Sequence, residues 1–283
     1  MIKIFKDAFK VSYYNIIIAT PLLLFLLIFN IYLVIAKNAV KALPSTILFF
    51  VTLFLMVSAF LAGWLNMIKV AVDNHVNNPD YEKHYGSFEL LKEFPVGIAE
   101  FIRACLGFSI LYLLFADIAF ISIYHLGMKL IGGVGISFAK FIAATEAPVA
   151  MQALIESLTK AQLLKINYWY LLTICSVQIF ALFTMFWPIE LINSTKNPIK
   201  ALFKSVKIIF VKPQVILLFI GINILNLVLA LLNYVAMFNP IAYFIVTLIF
   251  FYFIVYVFIL LFLYYEKKIK GNSNSITDSN GQE

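Results

Sequence analysis

The chain is poor in charge and in cysteine, and each shortage excludes a class of protein. Only 12% of its 283 residues are charged, whereas soluble globular domains carry about 25%, and 63% are hydrophobic with a mean hydropathy of +0.98. A soluble fold is excluded, and an integral membrane protein is predicted. Both cysteines, Cys105 and Cys175, fall inside apolar runs. We therefore expect neither a disulfide framework nor a cysteine-rich zinc site.

Arginine is nearly absent, and its scarcity leaves lysine to carry the positive charge. One arginine, Arg103, stands beside twenty lysines, and the formal net charge is +7. Excess positive charge favours nucleic acid where it forms one patch. Here the lysines lie between apolar runs, which is typical of a membrane surface. The sequence predicts anionic lipids of the inner leaflet as partners, no nucleic acid and no cofactor, and it carries no signal for a protein partner or oligomer.

Six apolar runs are long enough to cross a hydrocarbon core of about 30 Å at 1.5 Å per residue. Each should be helical, because lipid cannot satisfy an exposed backbone. Asn197-Pro198 and Asn239-Pro240 predict helix N-caps followed by proline, and Lys212-Pro213 predicts a break. We predict one transmembrane domain over residues 1–270 and a disordered cytoplasmic tail over 271–283. The predicted spans are 16–36, 45–69, 98–126, 167–192, 213–235 and 240–265.

The distribution of basic residues predicts the orientation of the chain. With six crossings, fifteen basic residues lie on the side of the N-terminus and six on the other. Cytoplasmic loops carry the excess of lysine and arginine. We therefore expect a multi-pass protein of the cell (inner or plasma) membrane with both termini in the cytoplasm.

Short segments that are too polar to cross precede the first, third and fifth spans. Before the fifth span, lysines recur at i, i+4, i+8 and i+11, and this basic face is predicted to contact anionic lipid: Lys196, Lys200, Lys204 and Lys207. Apolar residues form the opposite stripe: Ile199, Phe203, Val206 and Phe210. The N-terminus repeats the pattern with Lys3, Lys6 and Lys10.

The middle copy, SFELLKEFPVGIAEFIRA, is mixed in charge and contains Pro95 and Gly97. Together the three segments predict an all-α membrane fold of three units, each an interfacial amphipathic helix followed by a two-span hairpin. The lysines would favour anionic headgroups by about 1 kcal/mol each. The alternative is that they only enforce topology.

The stretch FWPIELINSTKNPIKALFKSVKIIFVKPQVILL (residues 186–218) resembles a segment of bacterial multi-pass proteins related to the membrane domain of glycerophosphoryl diester phosphodiesterases. A proline and a carboxylate end one span, and a basic helix with an Ala-x-x-x-Ser pattern, here Ala201 and Ser205, leads to the next. The loop from Gly63 to Gly86 is also similar. No soluble segment approaches the roughly 200 residues of a catalytic barrel. The resemblance implies a fold and an uncharacterised membrane role, not hydrolase activity.

Polar residues inside the spans are candidates for function, because a carboxylate in hydrocarbon is stable only when it is paired or faces water. Asp117 lies about 7 Å beyond the middle of the third span, and we expect it to face protein. It would either hydrogen-bond across helices or act as a protonatable or substrate-contacting group in a cavity. Four amides lie at comparable depth and are expected to bond across helices: Asn30, Gln178, Asn223 and Asn226.

Four charged residues fall near the inner boundary of three spans: Lys69, Glu100, Arg103 and Glu190. A pair between Glu190 and Arg103 or Lys69 is predicted, because each charge would otherwise be partly desolvated. The pair would fasten the hairpins together, or the cluster would bind a headgroup phosphate.

Three function classes remain. The favoured one is a non-catalytic scaffold or lipid-interacting membrane module. The alternative is a transporter or channel for a small molecule or lipid, with a polar midplane site around Asp117. A membrane-embedded enzyme is third, because the spans hold no Ser-His, Cys-His or histidine-rich array, and His125 stands alone near the outer surface. The acidic and histidine residues between Asp73 and His84 lack any recognised ligand spacing, so no metal site is predicted.

Overall fold

The computed structural model describes residues 1–39, 42–77, 87–137, 142–144 and 148–270. Within those ranges six helices are long and apolar enough to cross a membrane, which confirms the multi-pass α-helical prediction. The predicted tail and the loop residues 78–86 lie outside the described residues. The helices are α1 (Ile2–Tyr14), α2 (Ala19–Ala39), α3 (Leu43–Asn77), α4 (Ser87–Leu130), α5 (Pro148–Glu156), α6 (Lys160–Thr184), α7 (Trp187–Asn193), α8 (Pro198–Val211), α9 (Gln214–Ala236) and α10 (Pro240–Tyr264).

Short helical turns of other types extend two of the candidate spans. A 3₁₀ turn over Ile16–Ile18 joins α1 to α2, and a π-helical turn over Tyr265–Lys270 follows α10. With α7 added to α6, these segments make up the six candidate spans, of which α2, α3, α4, α6, α9 and α10 are the long helices.

The proline dipeptides mark helix boundaries as the sequence predicts. The Asn197 side chain accepts hydrogen bonds from the backbone N–H groups of Ile199 and Lys200, at 3.0 and 3.1 Å. Asn239 caps α10 in the same way. The helical structure is interrupted at Lys212-Pro213, between the end of α8 and the start of α9. Each cap satisfies two of the backbone donors that a helix start leaves without partners.

The middle polar segment does not form a separate helix. It lies within α4, which runs through Pro95 without interruption. This part of α4 packs closely on α3: a Cβ atom on Gly97 would stand 2.4 Å from the Asn66 Cβ and 2.6 Å from the Ala62 carbonyl oxygen. The Asn66 amide also donates to the Glu93 carbonyl at 3.0 Å. Contact with α3 therefore holds the segment in line with the third span.

The chain divides into two compact units. Unit 1 comprises Met1–Leu111 and Phe183–Glu283, and unit 2 comprises Tyr112–Leu182. Large side chains that are almost fully buried form the core of unit 1: Trp64, Phe101, Phe186, Trp187, Phe262 and Tyr264. Both tryptophans also donate to backbone carbonyls, Trp64 to Ile18 at 2.9 Å and Trp187 to Pro198 at 2.7 Å. Those bonds tie the chain ahead of α2 and the start of α8 to the core.

Candidate functional site

Helix α1 has three distinct faces. The face that packs on the protein consists of Ile4, Ala8, Val11 and Ser12, all buried. A second face leaves large apolar side chains exposed, with Ile2 75%, Phe9 58% and Tyr13 64% accessible. The third face carries three exposed lysines: Lys3, Lys6 and Lys10. The sequence pattern indicates two faces, and the structure adds the third.

Helix α8 is built on the same plan. Its protein-facing side buries Ala201, Ser205, Ile208 and Ile209. Its exposed apolar side leaves Ile199 52%, Phe203 70% and Phe210 74% accessible. The lysines predicted to contact anionic lipid are all exposed: Lys196, Lys200, Lys204 and Lys207.

The three faces follow one another in the same rotational order on α1 and α8. Each residue advances about 100° around the helix axis. In this direction of rotation the lysine face is followed by the buried face and then by the exposed apolar face. The order is identical in both helices, although the sequences around Ala8 and Ala201 differ. We use the term basic surface for the lysine faces of α1 and α8 taken together. The term includes the exposed apolar face that adjoins each of them.

Small residues allow both helices to approach the core. Ala8 and Ser12 on α1, and Ala201 and Ser205 on α8, each form an i, i+4 pair with no exposed surface. The Ser205 hydroxyl donates to the Phe183 carbonyl at 2.9 Å. The Ser12 hydroxyl lies 2.8 Å from that of Tyr252 and also donates to the carbonyl of Phe9 at 2.9 Å. These contacts direct the lysine faces away from the core.

Ion pairs modify the charge of the basic surface. Lys196 pairs with Glu100 at 3.0 Å, and its ammonium lies 5.1 Å from the centre of the Phe101 ring. Lys204 donates to the Ser194 hydroxyl. Lys196 therefore contributes less net charge to a lipid headgroup than the sequence alone indicates.

Additional lysines lie at the chain segments that follow α8 and α10. The Lys212 ammonium donates to the carbonyl oxygen of Lys268. Partial burial, and then the nearby charge of Lys268, lower the pKa of Lys212. In the turn after α10, Lys267 pairs with Asp7 and Lys270 pairs with Glu266.

The predicted pair between Glu190 and Arg103 or Lys69 is not formed. Among the described residues, no nitrogen of Arg103 or Lys69 comes within ion-pair distance of the Glu190 carboxylate. Helix α7 turns Glu190 into the core, where it is 3% exposed and interacts with Tyr265, whereas Arg103 lies on the exposed side of α4. Lys69 instead lies over the Phe101 ring, 5.8 Å from its centre.

Glu190 remains incompletely satisfied in its buried position. Its Oε2 atom has no hydrogen-bond partner within the described part of the chain. The same is true of the Tyr264 hydroxyl and of the Asn193 side-chain amide. A buried carboxylate with an unpaired oxygen is a source of instability unless water or a proton compensates it.

The sequence predicts that Asp117 faces protein, and this prediction is wrong. Its side chain is exposed on α4. Asn30 and Asn226 are exposed as well, and Gln178 and Asn223 are half-buried. The amides of Asn30 and Asn223 donate to carbonyls one turn earlier in their own helices, at 2.7 and 2.9 Å. The reason is geometric, because the carbonyl at i−4 is always within reach of a short amide side chain on a helix.

Other residues supply the hydrogen bonds between helices. The Ser58 hydroxyl donates to that of Ser109 at 3.2 Å, and both are buried. Asn66 and Ser205 reach backbone carbonyls of neighbouring segments. Their signal in the sequence is weak: small polar residues close to glycine or alanine, as is common where membrane helices cross closely.

Comparison with known proteins does not assign the chain to a family: no family model, no curated protein and no solved structure matches it. The resemblance of residues 186–218 to the membrane domain of glycerophosphoryl diester phosphodiesterases stays a prediction. Within the described residues, no group of three or more metal-ligating side chains comes together.

Proposed function

We propose that this protein is a non-catalytic membrane module that binds anionic lipids through its basic surface. The observation that carries the proposal is the three-faced construction of α1 and α8. Each helix buries a small-residue face against the core and exposes an apolar face. Its lysines lie on a third face, which adjoins the exposed apolar face.

This construction matches the physical requirements of a helix at a membrane interface. The free energy falls when exposed aromatic and aliphatic side chains such as Ile2, Phe203 and Phe210 enter the acyl region. The adjoining lysines then lie at headgroup level, where each contributes about 1 kcal/mol toward an anionic leaflet. On a helix surrounded by water those apolar side chains would stay exposed to solvent, which is unfavourable.

The repeated order of the faces supports a shared role for α1 and α8. Because the order is the same, both helices can present their lysines to one leaflet while each packs against unit 1. We propose that they lie on the cytoplasmic side, as two interfacial helices that each lead into a hairpin. In this scheme the middle predicted unit is replaced by α4, which is continuous through Pro95.

The structure does not favour the alternative of a transport site at Asp117. A substrate-binding carboxylate is expected to line a polar cavity. Asp117 is instead exposed on the surface of α4. We therefore place transport behind lipid binding.

Native mass spectrometry of the purified full chain tests the proposal. Phosphatidylglycerol and phosphatidylcholine are titrated onto the wild type and onto a variant that combines Lys200→Gln, Lys204→Gln and Lys207→Gln. The wild type should prefer phosphatidylglycerol, and the variant should lose that preference by about tenfold or more, because each lysine supplies about 1 kcal/mol.

A charge-preserving control separates lipid binding from folding. The matching Lys→Arg triple variant keeps every positive charge and should keep the preference for phosphatidylglycerol. If the Gln variant, folded and monodisperse, retains the full preference, the basic surface does not bind anionic lipid and the proposal fails.

A further inference from the structure

Unit 2 contains a groove of about 950 Å³ between the second half of α4 and α6. Its walls are formed mainly by aromatic and aliphatic side chains, among them Phe120, Ile123, Tyr124, Trp169 and Phe180. Its volume lies at the upper end of the range of ligand sites, roughly 300 to 1,000 Å³. The groove is therefore large enough for a sizeable apolar ligand.

One end of the groove is lined by the chain that follows α4, at Gly133, Val134 and Ile136. The Trp169 indole N–H donates to the Gly132 carbonyl at 3.1 Å, and Lys165 donates to the Gly133 carbonyl at 3.0 Å. Gly127 makes the arrangement possible, because a Cβ atom there would stand 2.2 Å from the Trp169 ring. Bonds and close packing thus hold this end of the groove in shape.

Two of the four polar side chains that line the groove, Trp169 and Thr173, are engaged within the protein. The Trp169 N–H is used by Gly132, and the Thr173 hydroxyl donates to the carbonyl of Trp169 at 2.8 Å. A polar substrate would find few donors or acceptors here. Burying hydrocarbon against such walls is favourable by contrast, because it requires no compensating hydrogen bonds.

A basic residue adjoins this end of the groove. Lys165 precedes the lining residue Ile166, and its ammonium contacts the carbonyl oxygen of the lining residue Gly133. A ligand with an apolar tail in the groove and an anionic group at this end would match both features. Membrane glycerophospholipids have this construction, and their phosphate is complementary to lysine.

We propose that this groove is a binding site for an acyl chain of a membrane glycerophospholipid, whose phosphate lies near Lys165. The site is separate from the basic surface, since it belongs to unit 2 and is selected by hydrocarbon rather than by charge alone. It extends the proposed lipid binding to a second location, in unit 2.

Photolabelling of the full chain in nanodiscs tests this site. The probe is phosphatidylglycerol that carries a diazirine on its acyl chain, and peptide mass spectrometry maps the insertion. Labelling should concentrate in residues 116–128 and 166–180. Filling the groove from either wall, with Ala119→Trp or Ser176→Trp, should reduce this labelling about tenfold, because several methylene contacts are lost.

Matched controls keep the result interpretable. Ile118→Trp adds the same side chain at an exposed position of α4, where Ile118 is 51% accessible, and should leave groove labelling unchanged. Two filling variants on different helices guard against misfolding of one of them, and unfolding curves identify which remain folded. Lys165→Gln should weaken labelling by phosphatidylglycerol and by a phosphatidylcholine probe alike, because both lipids carry the phosphate.

Uniform labelling over all exposed faces, unaffected by either filling variant, would show non-specific annular lipid and overturn the proposal. Displacement of the probe by free fatty acid but not by unlabelled phosphatidylglycerol would also overturn it. Both outcomes are independent of the Lys200, Lys204 and Lys207 experiment, so either proposal can fail alone.

Discussion

Lys267 and Asp7 form an ion pair of 2.7 Å that joins α1 to the turn after α10. The two side chains are 31% and 19% exposed, so the pair is partly shielded from water. Ser12, at another position on α1, contacts Tyr252 of α10. The first helix of the chain is therefore held by the last, and its lysine face has a defined direction.

Removing the ion pair should destabilise the protein modestly. Asp7→Asn and Lys267→Met are each expected to lower the free energy of unfolding, with a coupling of about 1 kcal/mol in the double-mutant cycle. Thermal unfolding in detergent measures the effect. Lys270→Met is the control, since its i, i+4 pair with Glu266 leaves Lys270 56% exposed and should cost less. A coupling near zero would show that other contacts hold α1.

Enlarging the buried face of α8 should disturb its packing. Ala201 has no exposed surface, so Ala201→Leu is expected to cost about 1–3 kcal/mol through overpacking. Phe203→Leu, on the exposed apolar face of the same helix, should change the free energy of unfolding by less than about 0.5 kcal/mol. Equal effects of the two substitutions would contradict the assignment of faces.

The crossing of α3 and α4 depends on glycine. In Gly97→Ala the new methyl group meets Asn66 and Ala62 at distances that atoms do not tolerate, so the helices must separate. We expect a loss of about 1–3 kcal/mol in chemical or thermal unfolding. Gly133→Ala provides the comparison, because nothing lies within 4 Å of its added Cβ. Wild-type stability of Gly97→Ala would argue against this close approach.

Glu190 and Arg103 should behave independently. Glu190→Gln replaces a buried carboxyl group whose Oε2 has no partner among the described residues, so stability should stay the same or rise by about 1 kcal/mol. Arg103→Met, at an exposed position, should change little. Unfolding of the two single variants and the double variant gives their coupling. A coupling above about 1 kcal/mol would restore the ion pair that the sequence predicts.

The sequence predicts the long helices well because their signals are local. Apolar length defines the six candidate spans, and the caps at Asn197 and Asn239 need only the following two or three residues. The same locality explains why α1 and α8 are recognisable from their lysine spacing. Such local patterns can be recognised in the sequence without any knowledge of tertiary contacts.

Contacts between distant segments account for what the sequence does not predict. The middle polar segment has a helical period, yet only the approach of Gly63 and Gly97 shows that it continues into α4. Depth alone predicts Glu190 beside Arg103, whereas the direction of α7 brings Glu190 to Tyr265. Asp117 shows the same limit, since hydropathy gives depth in the membrane but not which face of a helix is covered.

We propose that the lysine faces of α1 and α8 lie at the same, cytoplasmic, leaflet. Single cysteines are introduced at Lys6→Cys and Lys207→Cys in a background that carries Cys105→Ala and Cys175→Ser. A membrane-impermeant maleimide is then applied to right-side-out and inside-out vesicles. We predict that both positions are labelled only in inside-out vesicles. Labelling of the two positions from opposite sides, or of both from outside, would contradict the account.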